Sequence, residues 1–280
     1  MITRDRDFYK RFFTLTLTIA LQNLITFSVN LADNVMIGAY SETALAGVAL
    51  VNQIQFLLQM IVGGACEAVV ILASRAWGRR DLSPVAGIAN VGMRFSLSVA
   101  TLLFAAAFFF PHFTLTLLTD DPAVISEGML YLRIVCFSYF FYAASAILLA
   151  SLRSVETVRI GLWVSLTALA VNVVLNWCLI YGRLGFPRLG VEGAAIATVT
   201  ARIVELLVIT VYCRFFDRRL NLRLRDFLRK TPLASVKSFF KIGWPMMASG
   251  STWGIAMGIQ SSILGHMGQA AIAASSVSGT

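Results

Sequence analysis

Four polar side chains stand out in apolar segments because together they offer hard oxygen ligands at similar depths. At about 1.5 Å per residue, Asp33 and Asn176 each lie about 7–8 Å from the end of their own segment. Thr198 lies about 10 Å into the segment that follows that of Asn176. Asn172 precedes Asn176 by four residues and shares its helical face. Carboxylate, amide and hydroxyl oxygens suit Na⁺, and a carboxylate alone can carry a proton. The pattern predicts a cation site for Na⁺ or H⁺, with hydrogen bonding between helices as the alternative role of the asparagines.

Asp33 is the strongest functional candidate of the chain. Ionisable side chains in membrane segments are costly and mark functional sites by default. The segment around Asp33 contains no Lys or Arg within two helical turns that could pair with it. Glu67, in the second apolar segment, is a weaker candidate for a secondary polar site. Glu205 follows Arg202 by three residues on one helical face, which favours a structural ion pair.

The elements that carry these residues are long apolar segments, typical of helices that cross a membrane. Of the 280 residues, 58% are hydrophobic and 13% are charged, which excludes a disordered chain and an ordinary water-soluble enzyme. Continuous rather than alternating apolar runs favour helices over a barrel. We expect an all-α polytopic membrane protein with seven complete spans and the start of an eighth, in 12–38, 43–74, 95–119, 134–152, 160–182, 191–216 and 242–280.

The distribution of Lys and Arg predicts the orientation of these spans. Most of the 23 basic residues fall in alternate connections, which places the N-terminus on the cytoplasmic side of a multi-pass plasma (inner) membrane protein. The net charge of +9 therefore reflects topology, and no nucleic-acid partner is expected. Leu and Phe alternate with Arg in the longest basic connection, 214–238. This segment is predicted to be a cytoplasmic amphipathic connector on anionic lipid, with a plain basic loop as the alternative.

A weak internal repeat divides the chain. Residues 12–52 and 239–279 share paired Phe, a long apolar run, Gly, a short polar turn and an Ala-rich restart. Six spans separate the two copies, so both begin on the same side, as in parallel-repeat transporters. We expect a first six-helix lobe in 1–213, the connector in 214–238 and the start of a second lobe in 239–280. The chain would then be a fragment of a longer transporter; a seven-span protein is the alternative.

Enzymatic chemistry finds little support in the sequence. The two histidines show no metal-ligand spacing, and the four cysteines contain no CxxC pair. Adjacent spans hold no pair of residues typical of catalysis. We expect neither an enzyme nor catalytic residues, and no cofactor beyond a coupling ion.

The order and spacing of several motifs resemble those of the multidrug and toxic compound extrusion (MATE) transporters. The motifs are LADNVMIG at 31–38, LASRAWG at 72–78, SLRS at 151–154, NxxxN at 172–176, GxxGAAxAT at 190–198 and IGWP at 242–245. The resemblance covers nearly the whole chain. Arg75 departs from the family pattern, because it stands where Gln is usual.

This resemblance implies a cation-coupled antiporter that exports amphipathic, often cationic, organic compounds by alternating access. The family has twelve spans in two six-span lobes, and the full-length protein is expected to be a monomer. Carried over by position, the first-lobe cation site consists of Asp33, Asn172, Asn176 and Thr198. Trp253 stands where some members have an acid, and Gln260 is the repeat counterpart of Asp33, so coupling is expected to rest on Asp33.

Two other functions stay open at this stage. A lipid-linked oligosaccharide flippase of the same superfamily would need cationic residues along its cavity, for which Arg94 and Arg133 are the candidates. A receptor or scaffold of seven spans is the other alternative, and the repeat argues against it.

Overall fold

The regular structure of the chain is helical throughout the residues that the computed structural model describes, which are 6–81, 84–217, 219–220 and 233–278. The helices are α1 Arg6–Tyr40, α2 Glu42–Gly78, α3 Val85–Phe109, α4 Pro111–Thr116, α5 Pro122–Val135, α6 Ser138–Arg153, α7 Arg159–Tyr181, α8 Val191–Val211, α9 Leu233–His266 and α10 Gln269–Ser278. A π-helical turn, Tyr212–Phe216, extends α8. The predicted all-α class is confirmed.

Two predicted spans are interrupted in the structure. The third, 95–119, ends at Phe109, and the short α4 begins with Pro111, which cannot donate to the preceding turn. The fourth starts earlier than 134, because Asp121 accepts hydrogen bonds from the N–H groups of Ala123 and Val124 and caps α5. Helices α5 and α6 then meet at a bend of 52°.

Five helices of the described residues are long and apolar enough to cross a membrane, or six if α5 and α6 form one bent span. They are α1, α2, α3, α7 and α8 with its π-helical extension. The predicted seventh span lies in α9, which is 34 residues long but falls short of the apolarity of these five. Its Gly, Ser and Thr residues, such as Gly250 and Thr252, explain the difference.

Helix α2 lies at the centre of the bundle and packs against α3, α5, α6 and α9. Its contact with α9 depends on small residues, because a Cβ at Gly64 would lie 2.7 Å from the backbone nitrogen of Met247. A Cβ at Gly254 would lie 2.9 Å from the side chain of Leu57. Small residues allow backbones to approach closely in this way in membrane helices.

Helix α1 lies at the edge and packs mainly against α7. Only 6% of its most apolar 18-residue stretch is buried, and large side chains such as Phe13 and Leu24 are exposed. An apolar outer surface is expected where lipid replaces water as the solvent. The opposite face of α1 carries polar side chains toward the interior, described below.

The predicted domain boundaries and membrane orientation stay predictions. Residue 218 and residues 221–232 of the predicted amphipathic connector lie outside the described residues. The start of the connector contacts the bundle, since Arg219 donates to the Val155 carbonyl oxygen at 2.5 Å and lies over the Trp77 ring.

Candidate cation and substrate site

A cavity of about 1110 Å³ lies within the bundle, lined by residues from α1, α2 and α5 to α10. Its wall is unusually rich in amide side chains for a bundle this apolar. The amides are Gln22, Asn23, Asn30, Asn34, Asn52, Gln53, Gln55, Gln59, Asn172 and Gln260. Amides can donate and accept hydrogen bonds without carrying charge, so this wall can hold polar groups of many kinds.

Asp33 and the two asparagines of α7 form one hydrogen-bonded cluster. The Asn176 amide nitrogen donates to the Asp33 carboxylate and, at 3.2 Å, to the Asn172 carbonyl oxygen. Asn172 and Asn176 are 1% and 0% exposed. The structure therefore brings together three of the four residues in which a cation site is predicted.

The Asn176 amide oxygen is buried and accepts no hydrogen bond within the described part of the chain. A buried polar oxygen without a donor is costly unless another group binds it. This oxygen, the Asp33 carboxylate and the Asn172 oxygen are the kinds of ligand that Na⁺ takes. The carboxylate is also a group that a proton can neutralise. The donor set thus fits either coupling ion.

Thr198 lines the same cavity but is not joined to the cluster by a hydrogen bond among the described residues. It is 9% exposed and lies next to Tyr131 of α5. The predicted site of four residues is thus a bonded group of three with Thr198 nearby on α8.

Close packing between α1, α7 and α8 sets the position of this cluster. Tyr181 at the end of α7 donates to the Met36 carbonyl oxygen of α1 at 2.8 Å. A Cβ at Gly193 would lie 2.8 Å from the Leu179 carbonyl carbon, so only glycine lets α8 approach α7 this closely. The first glycine of the 190–198 motif, Gly190, has a φ of 56°, which favours glycine.

A second polar network lies on α8, which forms one side of the same cavity. Arg202 and Glu205 form an ion pair at 2.6 Å, which confirms the predicted intrahelical pair. Ser145 donates to the other Glu205 oxygen at 3.0 Å, and the Arg202 guanidinium lies 5.3 Å from the centre of the Tyr142 ring. Arg202 is also near enough to attract the Asp33 carboxylate electrostatically. Along the chain Asp33 has no basic neighbour; the fold supplies one from a distant helix.

Two of the remaining polar candidates line the same cavity, and two do not. Glu67 and Gln260 both face it, from α2 and α9, without joining the Asp33 cluster. Arg153, which belongs to the SLRS motif but was not a predicted site residue, donates to Gln22 at 2.9 Å. The clustering of amides along the first two apolar segments was the signal that could have identified Gln22. Of the described lining residues none is Arg94 or Arg133, which are both exposed.

Comparison with known proteins identifies the family. The MatE family model matches residues 18–178, which is more than half of the chain. A probable multidrug resistance protein NorM from Thermotoga maritima is 26% identical over 80% of this chain and 48% of its own length. A protein of the same name from Listeria monocytogenes serovar 1/2a is 26% identical over 85% of this chain and 52% of its own. The chain spans about half the length of these curated relatives.

Solved structures show the same fold. A multidrug resistance MATE family transporter of the MOP superfamily, in an inward-facing conformation, superposes with a TM-score of 0.77 at 22% identity, over 94% of this chain and 60% of that one. A MOP superfamily transporter from Pyrococcus furiosus superposes with a TM-score of 0.70 at 22% identity, over 96% of this chain and 64% of that one. Helix bundle, motif order and family model agree: the chain belongs to the MATE family, whose members are transporters and not enzymes.

Proposed function

We propose that this chain acts in the export of amphipathic organic compounds, coupled to the entry of H⁺ or Na⁺ at Asp33. The observation that carries the proposal is the hydrogen-bonded cluster of Asp33, Asn172 and Asn176 at the wall of a large cavity. The names of the relatives, as multidrug resistance proteins, support a small-molecule substrate.

The cavity supports a broad range of substrates. About 1110 Å³ exceeds the usual ~300–1,000 Å³ of small-molecule pockets, which leaves room for a drug-sized compound. Neutral amides can hydrogen-bond to many polar groups, while Trp253 and Met257 offer apolar surface. The charged groups of the lining are the carboxylates of Asp33, Glu67 and Glu205 and the guanidinium groups of Arg153 and Arg202. The lining therefore has one carboxylate in excess, which favours compounds with a positive charge.

Coupling would work through competition for the charge of Asp33. A ligand shifts a conformational equilibrium only by binding one state better than the other. When Asp33 is charged, it attracts a cationic substrate into the cavity. A proton on Asp33, or Na⁺ bound to it and to the asparagine oxygens, removes that attraction. Helix α1 can then repack against α7, and the substrate leaves on the outer side.

Several parts of the proposal follow from the sequence and from what the family resemblance implies. The N-terminus is placed in the cytoplasm by the basic connections, the membrane is the plasma (inner) membrane, and the full-length protein is a monomer. Coupling rests on the first lobe, because Trp253 and Gln260 leave α9 without an acid near the cavity.

The test is substrate efflux from vesicles that contain the full-length protein, under an imposed pH gradient and, separately, an imposed Na⁺ gradient. Asp33→Asn is expected to abolish gradient-driven efflux, because the variant cannot take up a proton or balance Na⁺. The matched control is Glu42→Gln, the same chemical change at an exposed carboxylate that does not line the cavity, which is expected to retain the efflux. Unchanged efflux in Asp33→Asn would contradict the assignment. The gradient that drives the parent protein identifies the coupling ion.

A further inference from the structure

The C-terminal turn of α9 is bonded to the loop between α4 and α5, residues 117–121. Ser262 donates from its hydroxyl to the Leu117 carbonyl oxygen at 2.9 Å. Thr119, which is completely buried, donates from its hydroxyl to the Gly265 carbonyl oxygen at 3.1 Å. The two bonds run in opposite directions between one loop and one helical turn, so they fix the distance between the two backbones.

A histidine and an aspartate extend this contact. His266 Nε2 lies 3.2 Å from Asp120 Oδ2, and Nδ1 lies 2.7 Å from the Ser262 carbonyl oxygen. Carboxylate and carbonyl oxygens are both acceptors, so a neutral imidazole donates to one of them and a charged imidazolium donates to both. Ser262, Gly265 and His266 share one helical face, since they are three and four residues apart.

Gly265 is the residue that makes this approach possible. A Cβ built at Gly265 would overlap the Leu118 carbonyl oxygen and lie 3.3 Å from the Thr119 side chain. The overlap is with backbone, which cannot rotate away as a side chain does. By contrast, a Cβ at Gly258, two turns earlier on α9, meets nothing within 4 Å.

The same turn of α9 also faces the cavity. Ser261 and Leu264 line the cavity, while their neighbours Ser262 and Gly265 contact the loop. The contact therefore forms part of the wall between the cavity and one end of the bundle. The positions of the basic connections predict that this end is the outer one, where the α4–α5 loop carries Asp120 and Asp121.

We propose that this contact, which we call the outer seal, closes the cavity to the outside, and that Gly265 allows it to close. The proposal rests on the transport function proposed above, in which the cavity must be shut on one side while it opens on the other. The seal joins the α4–α5 loop of the first lobe to the first helix of the predicted second lobe. Movement of α9 away from this loop would break both hydrogen bonds and the His266–Asp120 pair together and expose the cavity.

The test measures access to the cavity and needs no substrate. Ser261→Cys places a thiol directly behind the outer seal with little change in shape. The background is the full-length protein with Cys66→Ser, because Cys66 lines the same cavity. The rate of labelling with a membrane-impermeant maleimide is measured in intact cells and in inverted vesicles.

Gly265→Ala is expected to raise labelling in intact cells severalfold, because the added methyl group prevents closure. The matched control, Gly258→Ala, is expected to label at the rate of the parent. Thr119→Val removes a seal hydrogen bond without adding bulk, so it tests the seal even if Gly265→Ala fails to fold. It is expected to raise labelling by a smaller factor.

Labelling at the parent rate in both Gly265→Ala and Thr119→Val would overturn the seal. A rise seen only in inverted vesicles would overturn its assignment to the outer side. Because labelling is independent of Asp33, the seal and the transport function can fail separately. A parent protein that moves no substrate, together with the expected labelling, would refute the proposed function and leave the contact as a gate of the cavity.

Discussion

Two carboxylates of the same cavity differ in their hydrogen-bonding partners, which are charged for one and neutral for the other. Glu205 is paired with Arg202 on its own helix and accepts a further hydrogen bond from Ser145. Asp33 instead accepts its hydrogen bond from Asn176, a neutral amide on another helix. A carboxylate with a fixed countercharge has no need of a mobile cation, whereas one held by neutral groups can exchange a proton or Na⁺. The difference suggests a structural role for Glu205 and a coupling role for Asp33.

Breaking the charged pair should have the largest effect on stability. Glu205→Gln leaves the Arg202 guanidinium without its countercharge in a low-dielectric interior. Removal of one partner of a buried ion pair costs about 3–5 kcal/mol. We expect a clear fall in the melting temperature of the purified protein in detergent. The double variant Arg202→Met/Glu205→Leu removes both charges and should recover most of that loss. A Glu205→Gln protein as stable as the parent would contradict the structural role.

Arg153 provides an intermediate case, because it is a cation whose hydrogen-bond partner, Gln22, is neutral. A Cβ at Gly161 would lie 2.7 Å from the Gln22 side-chain oxygen that accepts this bond. Gly161→Ala should therefore displace the terminal amide of Gln22 and cost at most about 1.5–3 kcal/mol, the usual range for a hydrogen bond to a charged group. Thermal unfolding measures the loss. Gly63→Ala, where a Cβ meets nothing within 4 Å, is the control and should not destabilise the protein.

The sequence predicted much of the fold, because the length of an apolar segment and the charged residues that end it can be read locally along the chain. The ends of α2 and α7 lie within a few residues of the predicted spans 43–74 and 160–182. The bend between α5 and α6 was not predicted, since nothing in the sequence at Cys136 and Phe137 breaks a helix. The break after Phe109 had a visible signal in Pro111, which the continuous apolar run obscured.

The site was predicted in part, for a similar reason. Asn172 and Asn176 share a face through helical periodicity, which can be counted along the chain. Their contact with Asp33 depends on how α1 packs against α7. This contact was indicated only by their equal depth in the membrane and by the family resemblance. The proximity of Arg202 to Asp33 depends on the packing of α8 as well, and no spacing in the sequence indicates it.

Asn172 tests whether an asparagine oxygen of the Asp33 cluster takes part in binding the coupling ion. Asn172→Ala removes the oxygen that accepts from Asn176 at 3.2 Å. A single neutral hydrogen bond contributes about 1 kcal/mol, so the expected loss of stability is small. The loss of an oxygen ligand should be more evident in function, as a higher Na⁺ or H⁺ concentration for half-maximal efflux. An unchanged ion dependence would restrict the coupling site to Asp33 and Asn176.

Asp33→Asn should have the smallest effect on stability and separates the two carboxylates most clearly. The amide oxygen of the substituted side chain can still accept from Asn176. The variant also no longer carries a partly buried charge whose basic neighbour, Arg202, is already paired with Glu205. We expect a change in the free energy of unfolding below about 1 kcal/mol, within the contribution of one neutral hydrogen bond, and no fall in melting temperature. Gradient-driven efflux should nevertheless be lost. If Asp33→Asn instead destabilised the protein as much as Glu205→Gln, both carboxylates would be structural, and the charge of Asp33 would be as firmly compensated as that of Glu205.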